Sequence, residues 1–243
     1  MSIRIAAVGD IHVSTDTCGR LAASLRGIGE RADTLLIAGD LTQVGSDAEV
    51  DCLLRELAVV DVPIIAVLGN HDHHAGQPER VAGVLTAAGV SVLEGTSTVV
   101  AAGGRTVGVA GVKGFGGGFP GAQASNFGEI EMKRFVRHTA DAAERLERCL
   151  NELSTDFRVA LLHYSPIAET LAGEPVGIYA FMGSYLLAEA IDRAGADLVL
   201  HGHAHRGSDR GLTPGGVRVR NVAQPVIGAP YCVFELDGGS STS

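Results

Sequence analysis

Five short apolar runs constrain the fold of this chain more than any other feature. Residues 3–8, 34–38, 64–68, 159–162 and 198–200 carry almost no polar side chain and are rich in Ile, Val, Leu and Ala. Runs of that length and composition read as strands covered on both faces, as in sheets held between other layers. Helical patterns fill most of the intervals, so the alternation is that of an α/β protein. Each run also stops at a polar cluster: Asp10-Ile11-His12, Gly39-Asp40, Gly69-Asn70-His71-Asp72, His163, and Gly202-His203-Ala204-His205. Ligands of open α/β sheets bind beyond the carboxyl ends of the strands. Five such ends, all bearing metal-ligating residue types, place a candidate site there.

The intervals support the layered reading. Further strands are expected at 91–93, 98–101, 106–110, 217–221 and 231–236, none with obvious ligands. Ser46 and Glu49 form a capping-box pattern ahead of Val50, Leu53, Leu54 and Leu57, whose spacing puts an apolar stripe on one helix face. Pro78 suits the first turn of a helix that Gly89 would stop, a longer amphipathic helix is expected at 129–153, and a shorter one at 184–194 ends at Gly195. Two segments follow neither period. Residues 113–125 crowd Phe115, Phe119 and Pro120 among glycines, and 172–183 mix Gly173, Pro175, Gly177, Tyr179 and Phe181. Long irregular segments of this kind are often functional, and substrate selectivity is expected to reside in them.

Composition narrows the classes. With 243 residues and 46% hydrophobic content, one domain over residues 1–237 is expected, followed by a flexible tail at 238–243, and neither linker nor repeat interrupts it. The net charge of -9 provides no broad basic surface, which weighs against a protein whose main task is gripping nucleic acid. No apolar stretch is long enough to span a bilayer, so no membrane partner is expected. The first strand runs straight into Asp10 without a cleavage site, so a signal peptide is not expected and a cytoplasmic location is. Cys18, Cys52, Cys149 and Cys232 are scattered without a C-x-x-C pair, and reduced, buried thiols are the reading that suits such a compartment.

Singly, the polar clusters say little. Asp10 and His12 are two apart, so on an extended strand end both side chains would leave one face. Gly39-Asp40 alone is a common turn or capping pair, and a lone His163 beside an apolar strand would more often be a hydrogen-bonded core residue. Gly69-Asn70-His71-Asp72 is harder to explain as turn chemistry. The imidazoles of His203 and His205 alternate, so both can approach neighbouring ions. His201 shares their parity but suits an outer or structural role equally well; His73, His74 and His138 are left outside the site. Carboxylate, amide and imidazole without thiolate suit a pair of divalent ions such as manganese, iron, zinc, cobalt or nickel.

In their order D-x-H, G-D, G-N-H-[DE], H, G-H-x-H, these clusters resemble the calcineurin-like metallophosphoesterases, over Asp10 to His205. The resemblance implies a four-layer α/β/β/α sandwich with two mixed sheets. It also implies that Asp10, His12 and His205 hold one ion, that Asn70, His163 and His203 hold the other, and that Asp40 bridges them. His71 falls at the family position of a phosphate-contacting general acid and Asp72 at the position that orients it, with Asn70 and His71 touching substrate. Manganese or iron is the family-weighted metal pair. The segment Leu41-Thr42-Gln43-Val44-Gly45 lacks the Asp-Arg-Gly that follows the aspartate in protein phosphatase relatives. The chain is therefore more similar to compact bacterial phosphodiesterases, including the class III cyclic-nucleotide type, acting on a nucleotide or other small phosphoester. A nuclease or phosphomonoesterase on the same site, and an inert interaction scaffold, are the alternatives. The scaffold would be expected to lack ligands that are all present here.

Overall fold

The structure, a computed structural model, describes residues 2–237; the expected tail at 238–243 lies outside them. The described residues form thirteen strands: β1 Ser2–Val8, β2 Thr34–Ala38, β3 Ile64–Val67, β4 Ser91–Val92, β5 Thr96–Ala102, β6 Arg105–Val112, β7 Gly118–Phe119, β8 Ala122–Gln123, β9 Phe157–Leu162, β10 Leu198–His201, β11 Arg210–Leu212, β12 Arg218–Asn221 and β13 Cys232–Asp237. The helices are α1 Ala22–Leu25, α2 Asp47–Leu57, α3 Pro78–Ala87, α4 Ile130–Glu152, α5 Tyr179–Met182, α6 Tyr185–Ala194 and α7 Gln224–Ile227.

Two mixed sheets stack face to face. One runs β13-β1-β2-β3-β4 and the other β11-β12-β10-β9-β6-β5, parallel at their centres and antiparallel at the β13, β11 and β5 edges. Alternation along each strand explains why the five runs are apolar throughout. Ile3, Ile5 and Ala7 of β1 and Val159 and Leu161 of β9 meet between the sheets. Ala6 and Val8 face outward into a second apolar layer with Leu53, Leu57, Val81 and Leu85 of α2 and α3. Ala160 and Leu162 face a third layer with Leu146, Leu150, Leu187 and Ile191 of α4 and α6. Helices, sheet, sheet and helices thus enclose three apolar layers, the expected sandwich.

Helix ends follow the local signals. Glu49 accepts the backbone N–H of Ser46 at 3.2 Å and of Val44 at 2.9 Å, completing the capping box of α2. Pro78 opens α3, and Ser184 caps α6 through the N–H of Leu186. The two irregular segments interlock: Gly117 N–H donates to Ala180 carbonyl at 2.7 Å and Gly118 N–H to Gly183 carbonyl at 2.9 Å. Gly116 permits the approach, since a Cβ there would stand 2.6 Å from the Ala180 carbonyl oxygen.

One expectation is corrected. Cys18 and Cys52 form a disulfide across 34 residues, whereas all four cysteines were expected to be reduced. The chain after β1 folds back over α2, where Glu56 also accepts the N–H groups of Gly19, Leu21 and Ala22. That contact is tertiary and leaves no trace in cysteine spacing. Cys149 and Cys232 are free.

Candidate metal centre

The centre is assembled where five strands stop. β1 ends at Val8, and Asp10 and His12 then adopt φ values of 57° and 42°. Asp10 N–H donates to Gly39 carbonyl at 2.9 Å and His12 N–H to Asp40 carbonyl at 3.0 Å, tying this turn to the end of β2. The two side chains therefore converge through left-handed backbone and not, as expected, through the pleat of an extended strand. His203, with φ 70°, likewise lies beyond β10 and does not alternate with His205 along it. Asp40, with φ 50°, completes the set: among the described residues these four are the only non-glycines with positive φ. Such backbone costs on the order of 1 kcal/mol or more per residue, and its concentration in one place marks a functional site.

Small residues make room for this convergence. A Cβ at Gly69 would collide with the Asp40 carboxylate, one at Gly202 with the Asp10 carboxylate, and one at Gly39 with the His163 ring.

The donors fall into two groups sharing Asp40. Asp10, His12, Asp40 and His205 form one and Asp40, His163 and His203 the other, with the ligand atoms of each within 4.8 Å of one another. His205 Nε2 lies 2.8 Å from Asp10 Oδ1 and 3.4 Å from His12 Nε2, which is itself 3.7 Å from Asp40 Oδ2. In the second group His163 Nε2 is 2.9 Å from Asn70 Oδ1 and 3.4 Å from Asp40 Oδ1. His163 Nδ1 must be the protonated nitrogen, because it donates to the Ala38 carbonyl at 2.9 Å; the lone pair of Nε2 is thereby turned toward the centre.

Electrostatics favours a cation in both groups. Burial lowers the His12 imidazole to about 4 and holds His163 and His203 well below the usual range, so all three present neutral lone pairs. Burial also pushes the Asp10 carboxyl up to about 6, against the hydrogen bond from His205. His205 is raised by that same bond. His12 Nδ1 is buried without any hydrogen-bond partner. Crowded carboxylates and neutral imidazoles form a donor set suited to divalent ions, whose ligation needs ionised carboxylate and neutral imidazole.

His71 and Asp72 correct a second expectation. Asp72 is fully buried, and its carboxylate accepts from Thr42 Oγ1 at 2.7 Å and from the N–H groups of Thr42, Gly69 and Leu41 at 2.8, 2.8 and 3.2 Å. Its hydrogen bonds tie the loops after β2 and β3 together, and it makes none to the His71 ring. His71 Nδ1 donates instead to the Gln43 backbone carbonyl at 2.8 Å, while His71 N–H donates to Asp40 Oδ1 at 2.8 Å. Gln43 was missed because its contribution is a carbonyl, which residue type does not reveal. His71 stands edge-on to His12, ring centroids 4.5 Å apart. His201 stays outside the donor groups: Nδ1 lies 2.8 Å from Gly202 carbonyl and Nε2 2.9 Å from Thr170 Oγ1.

Residues 3–207 match the family model described as calcineurin-like phosphoesterase. The chain belongs to that family. In sequence this calcineurin-like phosphoesterase is similar to a Synechococcus protein named as a probable cyclic nucleotide phosphodiesterase, 35% identical over 91 residues; the match covers 33% of this chain and 34% of that protein. The fold of this family member superposes on phosphopantetheinyl hydrolase from Mycobacterium tuberculosis with a TM-score of 0.72 at 16% identity, covering 98% of each chain. It also matches GAP50, the anchor in the inner membrane complex of Plasmodium, with a TM-score of 0.58 at 14% identity, covering 97% of this chain and 81% of that one. At these identities the structural matches show the shared fold alone. No helix among the described residues is long and apolar enough to cross a membrane.

Proposed function

We propose that this protein is a dinuclear metal-dependent phosphoesterase that hydrolyses a small phosphodiester, with a nucleotide the favoured substrate class. The observation that carries the reading is the pair of donor groups joined at Asp40 and strained into place. Asp10, His12, Asp40 and His205 would hold one ion, and Asp40, Asn70, His163 and His203 the other. Two such ions, manganese or iron on the family's weighting, would supply charge to neutralise phosphoryl oxygens and to lower the pKa of a bound water. Asn70 and His71 would contact the phosphoryl group. His71, with Nδ1 fixed on the Gln43 carbonyl, keeps Nε2 free to deliver a proton to the departing oxygen. The match to a phosphodiesterase supports the diester preference, and the Leu41-Thr42-Gln43 sequence weighs against a phosphoprotein substrate. A complete set of ligands weighs against the inert scaffold.

Hydrolysis of bis(p-nitrophenyl) phosphate with added manganese tests the reading; absence of turnover together with absence of bound metal would overturn it. His71→Ala is expected to retain both ions and to lose about 10²–10⁴ in kcat on esters with poor leaving groups, and much less on nitrophenyl esters. Equal losses across a leaving-group series would remove His71 from the role of acid.

A further inference from the structure

Beside the metal centre lies a corner of positive charge that the hydrolytic reading does not use. Of the 19 basic residues only Lys113 and Lys133 are lysines. Lys113 follows β6 directly, and its carbonyl accepts the N–H groups of His163 and Tyr164, so it stands at the same strand ends as the centre. It is 8% exposed. Its ammonium has three donors, and the one protein acceptor among the described residues is the Gly114 carbonyl at 3.3 Å. Faces of Phe115 and Tyr164, each 5.1 Å away at the centroid, partly support the charge. The adjacent carboxylate, Glu94, is occupied elsewhere: it accepts Lys113's own backbone N–H at 3.0 Å and Arg145 Nη2 at 3.1 Å.

An imidazole from another element joins this corner. The His138 ring of α4 packs on Phe115 with centroids 4.7 Å apart. Burial and then the charge of Lys113 lower the His138 ring. Tyr164 joins this corner to the centre, its ring touching Lys113 on one side and the His203 ring, 4.4 Å away, on another. A buried ammonium with free donors, beside the Phe115 ring on which His138 packs, is a site for an anion in an otherwise acidic protein.

We infer that Lys113, with His138 behind Phe115, forms a specificity subsite for a second anionic group of the substrate, a phosphate or a carboxylate, beside the metal centre that would take the scissile phosphoester. The inference rests on the phosphoesterase reading for its substrate but not for its binding test. A phosphodiester lacking that group would still reach the ions through its phosphoryl oxygens. One carrying it would be oriented along Phe115 and Tyr164, and its advantage would fall mainly in KM.

Two measurements decide. Thymidine 5′-(p-nitrophenyl phosphate) is compared with its 3′-phosphate and 3′-hemisuccinate derivatives on the manganese-loaded protein. The charged derivatives are expected to have kcat/KM about tenfold or more above the parent, and Lys113→Met to bring that ratio close to one. An advantage of the phosphate alone assigns the subsite to phosphate; an advantage of both assigns it to anions generally. In the second, ¹⁵N-lysine-labelled, zinc-loaded wild type is titrated with thymidine 3′-phosphate and with thymidine. The Lys113 side-chain resonance is expected to shift and saturate with the phosphate only, while Lys133 stays still. An unmoved Lys113 signal, or a substrate ratio that survives Lys113→Met, overturns the inference. Turnover of none of the esters would count against the hydrolytic reading, and the resonance would still decide the subsite.

Discussion

His71 Nδ1 donates to the backbone carbonyl of Gln43 at 2.8 Å, and the neighbouring acid Asp72 holds the loop that presents that carbonyl. The general-acid candidate is thus oriented by main chain, and Asp72 acts on it at one remove. This arrangement separates two properties that a direct carboxylate–imidazole pair would merge.

Asp72→Ala should destabilise the fold strongly. It strands the N–H groups of Leu41, Thr42 and Gly69 in a buried place, at about 1–3 kcal/mol for each buried donor left unmade. Urea unfolding should show the midpoint falling by more than any surface substitution produces, with kcat falling as Gln43 loosens. A stable Asp72→Ala with reduced kcat alone would show that the carboxylate serves His71 and not the loops.

His12→Asn should make the metal-free protein more stable and the metal-loaded one less so. The native residue has φ 42° and an unsatisfied buried Nδ1; asparagine would remove that nitrogen and adopts left-handed backbone at least as readily. A gain of about 1 kcal/mol corresponds to roughly 2–4 °C for a chain of this size. Thermal melts with chelator and with manganese should move in opposite directions; parallel shifts would remove the strain argument.

Reduction of the Cys18–Cys52 bond frees a loop of 34 residues and should cost about 3–4 kcal/mol. The loop contains Asp10's downstream neighbours from Gly19 onward, so metal affinity is expected to weaken with it. Melting with and without a thiol reductant, compared with Cys18→Ser/Cys52→Ser, checks this. An unchanged midpoint in all three would show that the bond does not constrain the fold.

Acid stability has one readable contributor far from the centre. The hydrogen bonds from Arg105 and then from Thr106 hold the Asp156 carboxyl at about 2, against about 3.9 in an unfolded chain. A depressed pKa stabilises the folded state above pH about 4 and loses that contribution as pH falls toward 2. Asp156→Asn should flatten stability against pH in that window and leave it parallel to wild type above pH 5 or so. An unaltered acid limb would assign the pH dependence elsewhere.

Much of the architecture was legible because burial imposes a pattern on strands. β2 has the expected bounds, and β1, β3, β9 and β10 differ from theirs by one or two residues at an end, because both faces of each must be apolar. Edge elements such as β11 and the β7–β8 hairpin were not legible, since short strands set among glycines and half-exposed residues carry no period. The donor residues were legible as types at strand ends. Gln43 and the shielding of Lys113 were not, because a backbone carbonyl and a burial depth are invisible in residue type.

By itself the sequence determined which groups could bind metal and which end of the sheets they occupy, because hydrophobic alternation fixes where each strand stops. Tertiary structure alone decided how those groups meet. Left-handed turns at Asp10, His12, Asp40 and His203, the attachment of His71 to Gln43, and the joining of Cys18 to Cys52 all come from contacts between distant segments. Such contacts are set by packing in three dimensions, and no local period along the chain records them.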